Sequence, residues 1–228
     1  MDGAESRISP VADREYSRRN FLKTAAWATA AISAAGIGGF GATRFADAQV
    51  PEQVGPVTIN FPTYLGLGDA AILGFALQLE RLEGTFYARG VDAGLFSGRD
   101  LAQIAAIRDH EMAHADFLTT ALQGAGAPVP PPPSLTFPPG VFSDPGAFLG
   151  LAATLEPVGV GAYGGAAAAL ESKDFLAAGL SIHNVECQHR TAINILRGIL
   201  PPNDLAFEPS LPFGAVVEAA APFGVTPG

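Results

Sequence analysis

The stretch RDHEMAHADF, Arg108 to Phe117, sets Glu111 and His114 three residues apart. On a helix, positions i and i+3 share a face, so the pair presents a carboxylate and an imidazole to one point in space. One such pair is common on exposed helices and decides nothing by itself. Its recurrence decides more. ECQH, Glu186 to His189, repeats the Glu-x-x-His spacing, and each pair is preceded by a second matched phrase: LERLEGTFY from Leu79 and LEPVGVGAY from Leu155. Both phrases hold a Leu-Glu with a tyrosine seven residues after the glutamate, and Glu80 stands 31 residues before Glu111 as Glu156 stands 30 before Glu186. The chain therefore holds two versions of one unit, which chance produces far less readily than a single motif.

Each unit has the outline of a helical hairpin. Asp69 stands as an N-cap before a run that stops at Gly90, and Ser97 or Asp100 opens a run that stops at Gly124. Asp144 caps a third run with Pro145 at its first position, extending to Leu170, and Asp174 precedes a fourth closed by Gly198 and Pro201. No stretch shows sustained two-residue alternation, so no sheet is expected. Short links join the first and second runs and the third and fourth, making antiparallel pairs. The link from Gly124 to Asp144 is long and carries Pro130 to Pro133, stiff enough to cross the length of a bundle. A tail from Ile199 holds one short helix, about Phe213 to Ala221, between two copies of PFG, and is expected to dock on the bundle.

The paired residues lie on apolar stripes. Ile104, Ile107, Glu111, His114 and Leu118 follow helical spacing in the second run, and Ile182, Glu186, His189, Ile193 and Leu196 nearly do in the fourth. Between Pro145 and Leu170, Glu156 is the only ionisable residue besides Tyr163. Inward carboxylates without counter-charge would cost several kcal/mol or neutralise themselves; a metal ion removes that objection. Four inward glutamates and two histidines, ordered Glu, Glu-x-x-His, Glu, Glu-x-x-His over four helices with one long crossover, form the di-iron or di-manganese pattern of ferritin-like bundles.

The region from about Asn60 to Pro209 resembles the exported ferritin-like proteins grouped with desiccation-related proteins, most closely in LEGTFY, IRDHEMAHADFLTTAL and LEPVGVGAY. The resemblance implies an all-α, ferritin-like four-helix bundle over residues 69–198, with two iron or manganese ions on Glu80, Glu111, His114, Glu156, Glu186 and His189. It implies further that Glu111 and Glu186 bridge the ions, and that each histidine and each of Glu80 and Glu156 binds one. Glu83 shares the Glu80 face, but its counterpart in the repeat is Gly159, which favours Glu80 as the ligand. Tyr87 and Tyr163 are expected as hydrogen-bonded core tyrosines. His110 is expected on the surface, pointing away from the site, with His183 a neighbour of the ligands and Cys187 a small packed residue. Pro157, directly after Glu156, and the glycines around it are expected to loosen the second half, giving stepwise metal loading. Two readings of the glycine-rich third run compete: close helix packing through Gly161 and Gly165, a homo-oligomer interface among the options, or a degenerated site whose helix no longer holds metal well.

Residues 1–48 read as a twin-arginine export signal: Arg18 and Arg19 sit in SRRNFLK, Thr24 to Thr43 carry no charge, and Ala46-Asp47-Ala48 fits a cleavage site, with a retained membrane anchor as the alternative. A Pro-rich lead, 49–68, follows it, and the tail occupies 199–228. The signal holds six of the 13 Lys/Arg and five of the 22 Asp/Glu, leaving seven against 17 and a net charge of −10. That surface repels nucleic acid and anionic membranes, so the expected partners are metal ions and small oxidants. Cys187 is the single cysteine and cannot form an internal disulfide, which leaves the core and a metal to hold the fold. The function expected is an exported oxidoreductase acting on dioxygen, peroxide or ferrous iron, with a non-enzymatic stress-protective scaffold as its rival.

Overall fold

A computed structural model of the chain describes residues 66–203 and 205–227, so the expected export signal and most of the Pro-rich lead lie outside the described residues. Helix is the only regular structure among them: α1 (Asp69–Asp92), α2 (Gly98–Gly124), α3 (Pro145–Ala166), α4 (Lys173–Leu196) and the short α5 (Phe213–Ala220), which runs into a 3-10 turn at Ala221–Phe223. The fold is the all-α bundle with a short C-terminal helix read from the sequence. No helix among the described residues is long and apolar enough to cross a membrane.

Two of the expected helix boundaries have other physical roles. Asp69 lies inside the first turn of α1 instead of capping it, and its carboxylate accepts from the backbone N–H groups of Glu171 (2.8 Å) and Ser172 (2.9 Å). It thereby ties the start of α1 to the start of α4. Gly90 does not end α1 either; a Cβ there would lie 2.2 Å from Phe148 Cε2, so glycine lets the ring of α3 press onto the α1 backbone. Phe148 stacks on Phe86 at 4.3 Å between centroids, and both are fully buried at one end of the core. Asp144 does cap α3, accepting from Ala147 N at 2.6 Å with Pro145 just inside the helix. On α4 the cap is Ser172, two residues before the expected Asp174. Helix α3 stops at Ala166, short of Leu170, because the chain must turn back into α4 within six residues.

The proline-rich crossover runs along α1. Pro130 and Pro131 carbonyls accept from Arg81 (2.6 Å) and Gln78 (2.8 Å), and further on Phe137 and Phe142 pack against Phe86 and under the Arg89 guanidinium. From Leu73, packed with the end of α2, to Arg89 is about 24 Å at 1.5 Å per residue, the span a bundle-length crossover must cover. Helix α3 therefore begins at the far end of α1 and runs antiparallel to it. The tail docks as expected. Leu211 N donates to Gly161 O at 2.8 Å, and its side chain fills the space a Cβ at Gly161 would need, 2.4 Å from Leu211 Cγ. The close contact at Gly161 thus belongs to the chain's own tail.

Gly90→Ala should force Phe148 to move and destabilise the fold by about 1–3 kcal/mol, several degrees in Tm. Gly150→Ala, on the same bundle but with nothing within 4 Å of the added carbon, should instead stabilise by up to about 1 kcal/mol. Thermal denaturation of the two variants checks the pair; equal shifts would show that Phe148 is not pressed onto α1.

Candidate metal centre

Halfway along the bundle each long helix turns a charged side chain inward. Glu80 and Glu83 come from α1, Glu111 and His114 from α2, Glu156 from α3, Glu186 and His189 from α4. All except His114 are exposed by 3 % or less, and His114 is half-buried at the edge. The hydrophobic stripes explain this: Ile104, Ile107 and Leu118 on α2, and Ile182 and Ile193 on α4, are buried on the same faces and carry the polar pairs in with them.

The six residues read from the two repeats come together. His114 Nδ1 lies 3.1 Å from Glu80 Oε2, 3.3 Å from Glu111 Oε2 and 3.4 Å from Glu186 Oε1. His189 Nδ1 lies 2.7 Å from Glu111 Oε1, 3.6 Å from Glu156 Oε2 and 3.9 Å from Glu186 Oε1. Each histidine meets the glutamate of the opposite pair, so α2 and α4 are antiparallel and related by the internal repeat. Two sets of four residues can each bring one donor atom within 4.8 Å of the others: Glu80, Glu111, His114, Glu186 and Glu111, Glu156, Glu186, His189. Glu111 and Glu186 belong to both.

The tyrosines close the pattern across the hairpins. Tyr87 donates its hydroxyl hydrogen to Glu156 Oε1, and Tyr163 donates to Glu80 Oε1. Each unit's tyrosine holds the other unit's glutamate. The expected loosening at Pro157 does not break α3, which stays helical through the proline, and Glu156 has the Tyr87 bond to fix it.

Two residues outside the six belong to the site: Glu83, on the Glu80 face as expected, and His110, which sequence spacing misplaced. Glu83 is a fifth buried carboxylate, and the place of its repeat counterpart, Gly159, is taken by carboxylate oxygens: a Cβ there would lie 2.9 Å from Glu186 Oε2 and 3.5 Å from Glu83 Oε2. His110 is exposed but does not point away; its Nδ1 sits 2.9 Å from His189 Nε2. The signal that could have placed it is the neighbour relation itself, since one residue's rotation along α2 still leaves an imidazole able to reach across to α4. His183 lies outside the cluster, its Nδ1 3.9 Å from Cys187 Sγ, and Cys187 is a half-buried free thiol.

Several of these atoms have nothing to bond. Glu83 Oε1, Glu111 Oε1, Glu156 Oε2, both Glu186 oxygens and His189 Nδ1 are buried without a hydrogen-bond partner, and Gln78 Oε1 is the one other such atom among the described residues. Glu111 Oε1 and His189 Nδ1 are 2.7 Å apart but lack hydrogen-bond geometry. Buried donors and acceptors are rarely left this way, and a cluster of them fits a bound cation.

A model of the ferritin-like domain matches residues 68–198 of the chain. The chain belongs to the ferritin-like domain family. No curated protein matches it closely enough to count as a relative. The matched span holds all four long helices and every residue of the cluster, so the family and the buried acids describe the same part of the molecule.

Without a cation the charges distort one another. Burial, and then the neighbouring carboxylates, push Glu83, Glu111 and Glu186 well above the usual carboxylate range. Burial likewise raises Glu156 to about 8, against the opposing Tyr87 hydrogen bond. Burial disfavours a charge on His114, but the Glu186 and Glu80 carboxylates beside it outweigh that and raise the imidazole to about 10. His189 is lowered to about 3 by burial and by the two neighbouring histidines. The folded metal-free protein therefore binds more protons than the unfolded chain between pH 4.5 and 8 at Glu156 and between 6.5 and 10 at His114. His189 acts oppositely, but only below 6.5. Stability should fall as pH rises from 6.5 to 9, by about 1 kcal/mol or more per unit, since the state that binds more protons loses ground as they are withdrawn. Thermal melts of chelator-treated protein across that range check this, and a flat or rising Tm would contradict it.

Proposed function

We propose that the protein is an exported di-metal carboxylate protein, carrying two iron or manganese ions and acting as an oxidoreductase on dioxygen, peroxide or ferrous iron. What carries this reading is the convergence of buried carboxylates and imidazoles in two four-residue groups sharing Glu111 and Glu186, with Glu111, Glu156, Glu186 and His189 each keeping a buried atom that has no hydrogen-bond partner. Glu80 and His114 would hold one ion, Glu156 and His189 the other, and the shared pair would serve both. Oxygen and imidazole donors without thiolate suit iron or manganese better than structural zinc. Ions held there supply Lewis acidity toward a small oxidant and a reversible change of oxidation state.

The chain's own residues set the conditions for that chemistry. Glu80, Glu111, Glu156 and Glu186 balance the charge of two divalent ions. Glu83 stands in neither group, and with the charge already balanced it keeps its proton at the buried edge of the site. The Tyr87 and Tyr163 hydroxyls occupy the outer oxygens of Glu156 and Glu80, which turns their inner oxygens to the centre and fixes both side chains before anything binds. Isoleucines and leucines on each side along α2 and α4 keep bulk water out of the bundle.

Elemental analysis of the purified mature protein, after anaerobic reconstitution, should find about two iron or manganese ions per chain. Glu83→Gln should keep both, whereas Glu156→Gln should lose one or bind it at least tenfold more weakly. A wild type that takes up no metal would assign the bundle to the stress-protective scaffold role that the desiccation-related resemblance invites. Bound metal with no turnover of peroxide, dioxygen or ferrous iron would leave a metal-binding protein that is not an enzyme.

The export half of the proposal rests on sequence alone. Arg18, Arg19, the uncharged run and the Ala46-Asp47-Ala48 site support it. Replacing both arginines by lysine should keep the protein in the cytoplasm, and fractionation showing normal export of that variant would remove the localisation.

A further inference from the structure

His110 has no part in the ligand pattern, yet it makes the one hydrogen bond that reaches His189 from outside the cluster. Its Nδ1 is 2.9 Å from His189 Nε2, and the two rings lie within 12° of parallel at 5.2 Å between centroids. The other nitrogen of His189, Nδ1, faces Glu111 Oε1 at 2.7 Å and Glu156 Oε2 at 3.6 Å. His110 is exposed while His189 is exposed by only 2 %, so the contact bridges the surface and the buried end of the site.

We propose that His110 is a positioning residue for the metal ion on the His189 side, and that it makes that side the tighter of the two. This rests on the di-metal reading above. With Nδ1 of His189 committed to an ion, the ring's proton must sit on Nε2, so His110 Nδ1 is the acceptor and the His110 ring carries its own proton on Nε2. The acceptor fixes the His189 tautomer and stops the ring from turning away from the site. Partners of this kind commonly change metal affinity 10- to 100-fold when removed.

The internal repeat supplies the control. Superimposing Glu111 on Glu186 sets His110 opposite Val185, which has no acceptor to offer. Accordingly, His114 is held through Nδ1 alone, by Glu80, Glu111 and Glu186, and no partner meets its Nε2 among the described residues. The two sides are thus unequal in the residue that orients their histidine. The order of loading is the reverse of the one expected from Pro157: with α3 unbroken and Glu156 held by Tyr87, the His189 side has both a fixed glutamate and a fixed imidazole.

Calorimetric titration of the metal-depleted mature protein with manganous ion, in wild type, His110→Val and His110→Asn, tests this. The valine copies the other half; asparagine keeps an acceptor oxygen where the imidazole Nδ1 stood. Wild type should bind in two steps. His110→Val should weaken the tighter step about 10- to 100-fold and leave the other within about threefold, while His110→Asn restores most of the loss. Helicity should be the same in all three, since residue 110 is exposed. Two steps that ignore His110, two that weaken equally, or an asparagine variant no better than valine would each overturn the assignment. A wild type that binds no manganese would overturn it together with the di-metal reading, so the two failures are distinguishable.

Discussion

Five carboxylates at the centre of a helical bundle, Glu80, Glu83, Glu111, Glu156 and Glu186, cannot all carry charge there without a counter-ion. The effective penalty for an unpaired buried ion is several kcal/mol, comparable with the net stability of a whole domain. Most of the local structure follows from how that penalty is met. In the metal-free state burial favours protons on Glu83, Glu111, Glu156 and Glu186 and His114 is held as a cation, while His189 is kept neutral by burial and its histidine neighbours. A pair of divalent cations would meet it more completely, because Glu111, Glu156, Glu186 and His189, which keep unpartnered buried atoms, form one group of four, and Glu111 and Glu186 are shared with a second that adds Glu80 and His114. The fold's remaining features serve to hold such a group rigid: tyrosine hydroxyls that cross between hairpins, a proline-rich strap along α1, and a tail packed against the glycines of α3.

The internal repeat is close enough to make the site two-sided and different enough to make the sides unequal. Glu80, Tyr87, Glu111 and His114 correspond in position to Glu156, Tyr163, Glu186 and His189, and the reciprocal Tyr–Glu and His–Glu contacts show that this correspondence is structural. The departures lie around the rim. Glu83 faces Gly159, giving one half an additional acid and the other the room to accommodate it. His110 corresponds to Val185, giving one histidine an outer partner that the other lacks. Divergence of the two hairpins has kept the donor set and altered what supports it.

What the sequence made legible was what repeats or has a period. The four helices, the long crossover and the convergence of Glu80, Glu111, His114, Glu156, Glu186 and His189 follow from stripes and paired spacings, which report which face is buried. Features set by contacts between distant segments were less accessible. Asp69 looks like an N-cap of its own helix, but its oxygens are taken by the backbone at Glu171 and Ser172, about a hundred residues away in sequence. Gly90 looks like a helix stop, and only the Phe148 ring pressed against it reveals why a side chain is excluded. His110 lies off the buried stripe of α2, so periodicity assigns it to solvent; a long enough side chain at the edge still reaches the neighbouring helix. Local rules misjudged these three for the same reason: tertiary packing overrode a correct local preference.

The central claim is that the buried acids are arranged around two cations. Anomalous diffraction from crystals of the manganese-loaded protein, recorded at the manganese edge, tests it most directly. Two peaks about 3.5–4 Å apart are predicted, one among Glu80, Glu111, His114 and Glu186 and one among Glu111, Glu156, Glu186 and His189. A bundle core with no peak, or manganese only at surface carboxylates, would contradict it.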